Sequence, residues 1–135
     1  MSATENTALV QKLVGAFRTG DLATVASCFS PDAVWDFPGR SVVSGTFKGP
    51  DEIVAFLARS YELSGATLAV DLIDVTASDR GATQVQWVSA DHAGKSMRAV
   101  ELLHHEMSGG VIVRTWHRSD EGAIAGFFGD GGGLR

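Results

Sequence analysis

The chain has 135 residues, of which 44% are hydrophobic and 20% charged, a composition and length typical of one globular domain. Its formal net charge is −5, which argues against a surface for nucleic acid or anionic membranes, because both need a basic patch. The single cysteine, Cys28, excludes an internal disulfide. It follows an apolar run, and we interpret it as a small core residue rather than a catalytic thiol.

The N-terminus is not expected to be a signal peptide. The N-terminus, "MSATENTALV", has neither the basic region nor the apolar region of a signal peptide. No window approaches the ~18–20 apolar residues that a membrane span needs. We expect one cytoplasmic domain over 1–135, with 1–6 and 130–135 flexible, that binds neither nucleic acid nor membrane.

The first half of the chain is predicted to be mostly helical. Apolar residues recur at helical spacing in three segments, Asp21 is placed to cap the second, and Pro50 fits the first turn of the third. The segment "DAVWDFPG" instead alternates, as a strand does. These patterns predict helices over 7–19, 22–29 and 50–64, a strand over 32–39 and a loop over 40–49.

The second half is predicted to be a four-stranded antiparallel meander. Its segments alternate in polarity, and they are separated by "SDRG", "DHAG" and "SGG", which have the composition of hairpin turns. Helices that precede a run of strands indicate the α+β class, with the helices on one face of the sheet. The predicted strands cover 66–77, 82–91, 95–107 and 111–118.

The order of elements resembles the SnoaL-like branch of the nuclear transport factor 2 superfamily. The resemblance rests on "AFRTGDLATVASCFSPDAVWDFPG", on "SGTFKGPDEIVAFLA" and on the C-terminal hairpin, and it covers about residues 7–128. It implies a cystatin-like α+β cone, with three N-terminal helices packed on a curved, mainly antiparallel sheet. It also implies a pocket for a hydrophobic small molecule and no cofactor, but no single activity, because this fold hosts enzymes and non-enzymes alike.

The catalytic residues of the best-known relatives are absent. The positions that hold a tyrosine and an aspartate in ketosteroid isomerases are Leu13 and Phe37, so that mechanism is not expected. In SnoaL-type cyclases a histidine and an aspartate flank the hairpin glycine. Counted from Gly110, those positions are Leu103 and His117, so a histidine stands where the acid–base aspartate would be.

The C-terminal hairpin carries polar residues on the face that the family places inside the cone. Alternation puts Glu101, Leu103 and His105 on one face of the first strand, and Thr115 and His117 on the same face of the second. If Met107 faces Val111 across the turn, Glu101 faces His117 at hydrogen-bonding distance.

We interpret Glu101 and His117 as an acid–base pair, with His105 polarising a substrate oxygen. The alternative is a purely structural Glu–His pair that closes the wide end of the cone. Asp36 and Asp120 are weaker catalytic candidates, since Asp36 is expected to face outward and Asp120 to cap the next turn. A metal site is not expected, because the adjacent His104 and His105 point to opposite faces.

The remaining site predictions concern the ligand and a partner. The residues that we expect to wall the ligand pocket are Phe17, Trp35, Phe56, Tyr61, Trp87, Leu103 and Thr115. The outer sheet face is expected to carry a homodimer interface, because apolar side chains there are interleaved with arginines. The apolar members of that interface are Val100, Leu102, Ile112 and Trp116. Alternatively, the tail around Phe127 and Phe128 folds back over this face.

These observations predict a small, cofactor-independent acid–base enzyme of secondary metabolism. It would act as a cyclase, isomerase, dehydratase or epoxide hydrolase on a hydrophobic cyclic or polyketide-like metabolite. The alternative is a non-catalytic binding protein that uses the same pocket.

Overall fold

The computed structural model describes residues 2–130, which form four helices and one six-stranded sheet. The sheet order is β2-β1-β6-β5-β4-β3, and every neighbouring pair is antiparallel except β1 and β6. The α+β class and the mainly antiparallel sheet are therefore confirmed. The helices are α1 (Ala3–Thr19), α2 (Leu22–Ser27), α3 (Gly49–Leu63) and α4 (Glu121–Phe128), and the strands are β1 (Phe29–Phe37), β2 (Gly45–Lys48), β3 (Ala69–Ala77), β4 (Gly81–His92), β5 (Lys95–Ser108) and β6 (Val111–Arg118).

A capping box begins helix α1, within the segment that the sequence predicted to be flexible. The Ser2 hydroxyl accepts from the Glu5 amide, and the Glu5 carboxylate accepts from the Ser2 amide, which satisfies two of the donors at the start of α1. Asn6 is fully buried and donates to the Ser78 carbonyl at 2.8 Å. At the other end, Asp130 bridges to Ser41, and the remainder of the predicted flexible tail lies outside the described residues.

The parallel contact between β1 and β6 places the first strand beside the C-terminal hairpin. Trp35 is the register partner of Thr115, so the side chains of β1 lie next to those of β6. The short strand β2 falls in the segment predicted as a loop. It pairs with the edge of β1 that faces away from β6. Alternation along β1 then buries Ala33, Trp35 and Phe37 on the inner face, as their spacing predicts.

A β-bulge between β5 and β6 changes the expected register of the hairpin. Leu103 pairs with His117 and His105 pairs with Thr115, whereas near the turn Met107 pairs with Ile112. The predicted pairing of Glu101 with His117 is therefore wrong by two residues. The turn pairs Val111 with Ser108 instead of Met107, which shifts the register by one residue, and the bulge beyond it adds one more. A shift of two preserves the face of each side chain, so both groups still point inward.

The core lies between the inner face of the sheet and the helices. The C-terminal helix α4 belongs to this layer, since Ile124 and Phe127 are buried in the core cluster. The alternative in which the tail around Phe127 and Phe128 covers the outer sheet face is therefore wrong. Within residues 2–130, no helix combines the length and the apolar character of a membrane span.

Candidate active site

A cavity opens between the inner face of the sheet and helices α1, α3 and α4. About 80 Å³ of it is open to the centres of water molecules, and since ~10–15 Å³ of such space holds one water, the cavity has room for several waters or a compact organic group. Its lining is mostly apolar and includes the rings of Phe17, Trp35, Phe37, Phe56 and Phe128. The polar residues of the lining are Ser60, Gln84, Gln86, Glu101 and His117.

Glu101 and His117 meet on this wall. The Glu101 Oε2 atom lies 3.1 Å from His117 Nε2, and both side chains are buried. The contact crosses diagonally between β5 and β6, since the direct partner of His117 is Leu103. The ring N–H is not aligned with the carboxylate oxygen, so His117 Nε2 makes a close charge contact without a well-formed hydrogen bond.

Trp35 fixes the tautomer of His117. The indole nitrogen of Trp35 lies 3.2 Å from His117 Nδ1, and an indole N–H can only donate. Nδ1 must therefore present a lone pair, and the proton of the neutral ring lies on Nε2, beside Glu101. Phe37 stacks on the same imidazole with ring centroids 4.0 Å apart, so the ring is held at both a nitrogen and a face.

A chain of hydrogen bonds, in which each donor can be assigned, ends on Oε1, the other carboxylate oxygen of Glu101. Gln86 donates to Glu101 Oε1 at 2.9 Å, and Gln84 donates to Gln86 at 2.6 Å. The Gln84 oxygen is then free to accept from His105 Nε2 at 2.9 Å, which leaves His105 Nδ1 to accept from the Thr115 hydroxyl at 2.7 Å. The carboxylate is thus the terminal acceptor of this chain of hydrogen bonds.

Burial and polar contacts act on Glu101 in opposite senses. Desolvation alone would raise the pKa of this carboxyl, because burial disfavours the charged form. Contacts with His117, which lower it most, and with Gln86 and Ser119 together outweigh burial, so the pKa of Glu101 lies below its ordinary value of 4.5. Glu101 is therefore a carboxylate near neutral pH.

His105 does not occupy the position that the sequence suggested. It is fully buried and lies behind the cavity wall, with both ring nitrogens engaged by Gln84 and Thr115. Desolvation, with smaller effects from the charges of His104 and His117, lowers the pKa of His105 to about 3. The prediction that His105 polarises a substrate oxygen is wrong, because a strand places alternate residues on one face but does not set their depth.

The cavity is lined by four of the seven residues that we expected to wall a ligand pocket. Phe17, Trp35, Phe56 and Leu103 line the cavity, whereas Tyr61, Trp87 and Thr115 do not.

Each of the three exceptions has a physical reason. Tyr61 is 45% exposed on α3. Trp87 points to the outer sheet face, where the Arg98 guanidinium lies 3.7 Å from its ring centroid. Thr115 is buried, and its hydroxyl is bound to His105.

The two other carboxylates lie outside the cavity. Asp36 is on the opposite face of β1 and pairs with Arg118 at 3.4 Å, because Trp35 and Phe37 take the inward positions. Asp120 caps α4 by accepting from the Ala123 amide at 3.0 Å. Neither carboxylate lines the cavity. Among residues 2–130, no three histidine, cysteine, aspartate or glutamate side chains come together as metal ligands.

Sequence reasoning missed Gln84, Gln86 and Phe37. Both glutamines are buried on the inner face of β4, and Gln86 is the direct partner of Glu101 on β5. The alternation "TQVQWV" contained this signal, because two amides on an inward face need polar partners. Phe37 was assigned to the inner face of its strand without a role beside His117.

Known proteins share both the sequence pattern and the fold. The SnoaL-like domain family matches residues 10–115. The uncharacterized protein Rv0034 of Mycobacterium tuberculosis is 35% identical over 107 residues, which cover 78% of this chain and 82% of that protein.

Solved structures of other proteins share the fold of this chain. Bal32a, from a soil-derived mobile gene cassette, has a TM-score of 0.89 at 27% identity and covers 93% of this chain and 98% of its own. A protein of unknown function with a cystatin-like fold from Xanthomonas campestris has a TM-score of 0.84 at 27% identity, covering 92% and 98%. IdmH of Streptomyces antibioticus, a proposed polyketide cyclase, has a TM-score of 0.76 at 18% identity, covering 90% and 96%, and shows the fold alone. With the family match over most of its length, the chain belongs to the SnoaL-like domain family.

Proposed function

We propose that this protein is a small, cofactor-independent acid–base enzyme that acts on a hydrophobic cyclic or polyketide-like metabolite. The reaction would be a cyclisation, isomerisation, dehydration or epoxide opening. The observation that carries the proposal is the contact between Glu101 and His117, 3.1 Å apart on the wall of an otherwise apolar cavity. Paired ionisable groups in a cleft are typical of proton-transfer sites.

The hydrogen bonds give the two groups different roles. Because Nδ1 of His117 accepts from Trp35, this histidine has no free lone pair in the cavity and acts as an N–H donor. The carboxylate of Glu101 is the proton acceptor. A general base beside a fixed donor can remove a proton and stabilise the negative charge that develops on a neighbouring oxygen.

A binding protein without catalysis is the second candidate. His117 Nδ1 and Glu101 Oε1 accept hydrogen bonds inside the protein, and the remaining Nε2 and Oε2 atoms face each other 3.1 Å apart. Polar groups that engage one another in this way can shape a pocket for a ligand without moving a proton. Turnover distinguishes the two candidates, because a binding protein shows affinity and forms no product.

The experiment compares product formation by the native protein and by Glu101→Gln, with metabolites made by the enzymes of neighbouring genes as substrates. We expect the substitution to lower the rate about 10²–10⁴-fold, the usual contribution of a general base. Glu106→Gln is the matched control, since Glu106 lies on the same strand but is exposed on the opposite face, and it should leave the rate unchanged. Binding of these metabolites without product would favour the second candidate.

We further propose that the outer sheet face pairs with a second copy of the chain. Val100 and Leu102 are 40% and 49% exposed there, and Trp116 lies opposite His104 on the adjacent strand, with the Arg114 guanidinium 4.9 Å from its ring centroid. Exposed apolar residues flanked by tryptophan and arginine are characteristic of interfaces. Ile112 is not part of this surface, because the bulge turns it into the core, where it is fully buried.

A further inference from the structure

We propose that the cavity binds small hydrophobic ammonium ions, so that the ligand supplies the positive charge that the cavity itself lacks. The site is formed by the carboxylate of Glu101 and the aromatic rings around it. This proposal goes beyond the proposed function, since it concerns the charge of the ligand and holds whether or not the cavity converts a substrate.

The first argument is the balance of charge. Glu101 is 3% exposed and faces the cavity. Among residues 2–130, the lining contains no lysine or arginine. A desolvated carboxylate is costly unless a positive charge or several donors compensate it.

The second argument is that His117 does not supply that charge while it is bound to Trp35. The contact of 3.2 Å between the indole N–H and Nδ1 needs the lone pair of an unprotonated nitrogen. In an imidazolium both ring nitrogens carry protons, and the N–H on Nδ1 would then point at the N–H of Trp35. The other groups that act on the carboxylate, the amide of Gln86 and the hydroxyl of Ser119, are neutral.

The third argument is that aromatic rings line the cavity around Glu101. Trp35, Phe37 and Phe56 pack against one another around the pair, with Trp35 and Phe37 ring centroids 5.7 and 5.9 Å from that of Phe56. The π-faces of aromatic rings attract ammonium ions, most strongly where water is excluded. An apolar ammonium ion would therefore satisfy both the carboxylate and the rings, whereas an anion would be repelled by Glu101.

The test uses three probes of nearly the same shape and different charge. They are choline, its neutral isostere in which carbon replaces nitrogen, and the anion trimethylacetate. Binding is measured by NMR titration of the native protein, of Glu101→Gln and of the matched control Glu106→Gln. We expect choline to bind at least about tenfold more tightly than its isostere, and trimethylacetate to bind weakest. Glu106→Gln should keep this order.

In Glu101→Gln the preference for choline over the isostere should shrink to about twofold or less, because the amide keeps the size of the side chain and loses its charge. Equal binding of choline and isostere to the native protein would overturn the proposal, as would a preference that persists in Glu101→Gln. Absence of choline binding at concentrations on the order of 10 mM would overturn it as well. Absence of turnover by the native protein would contradict the proposed function and leave this charge preference intact.

Discussion

The buried histidine behind the cavity makes the stability of the protein depend on pH in a defined window. The pKa of His105 falls from an ordinary value of 6.5 to about 3 on folding. In the unfolded chain this ring takes up a proton as the pH falls through about 6.5, whereas in the folded protein it stays neutral until about pH 3. The unfolded state is therefore favoured as the pH falls, and the protein loses stability across this window.

The size of the loss follows from proton linkage. When the pH falls from about 7.5 to about 5, the difference between the folded and unfolded pKa values of His105 lowers the free energy of unfolding by about 2 kcal/mol. Glu101 contributes little in this range, because its pKa lies below an ordinary value of 4.5 and its own loss of stability begins only at lower pH. The change in stability between about pH 7.5 and about pH 5 therefore reports on His105 and hardly on Glu101.

The assay is urea denaturation at both pH values for the native protein and for His105→Gln, whose amide can still accept from Thr115 and donate to Gln84. We expect the difference between the two pH values to shrink by about 2 kcal/mol in the variant. His104→Gln is the matched control, since this neighbour is exposed on the opposite face and should keep most of the native pH dependence. The reasoning is refuted if His105→Gln retains the full native difference.

Three further predictions test the dimer, the tautomer and the carboxylate. Sedimentation at micromolar concentration should give about twice the chain mass of 14.2 kDa, and Trp116→Glu should halve it; a monomeric native protein contradicts the interface. In the native protein, ¹⁵N NMR should show the Nε2–H tautomer of His117 with Nδ1 accepting from the Trp35 indole, a hydrogen bond that Trp35→Phe removes; a native spectrum with the proton of the neutral ring on Nδ1 would exclude our assignment. Gln86→Leu removes a hydrogen bond to the Glu101 carboxylate and should raise the pKa of Glu101 in a ¹³C titration, and an unchanged value would show that Gln86 does not stabilise the charge.

The sequence alone determined the class of fold and which polar hairpin side chains share a face. Helical spacing, hairpin turns and strict alternation are local properties, so they predicted the main elements and put Glu101 and His117 on one face, which the resemblance to the family then placed inside the cone. The Ser2 capping box is equally local, and its pattern of serine followed three residues later by glutamate could have predicted the start of α1. Alternation does not predict how deeply an inward side chain is buried. It therefore treats Glu101, which lines the cavity, and His105, which lies behind the cavity wall, as equivalent.

Only the tertiary structure decided which side chains meet. The bulge between Glu106 and Met107 set the register of the hairpin and turned Ile112 inward, because an extra residue in one strand is accommodated according to the packing around it. Trp35 reaches His117 across 82 residues of sequence, through a parallel pairing of β1 with β6 that no local pattern specifies. That contact assigns the proton of His117, on which the role that we propose for each group depends. The chemistry of the cavity thus depends on long-range pairing, whereas its location depends on local periodicity.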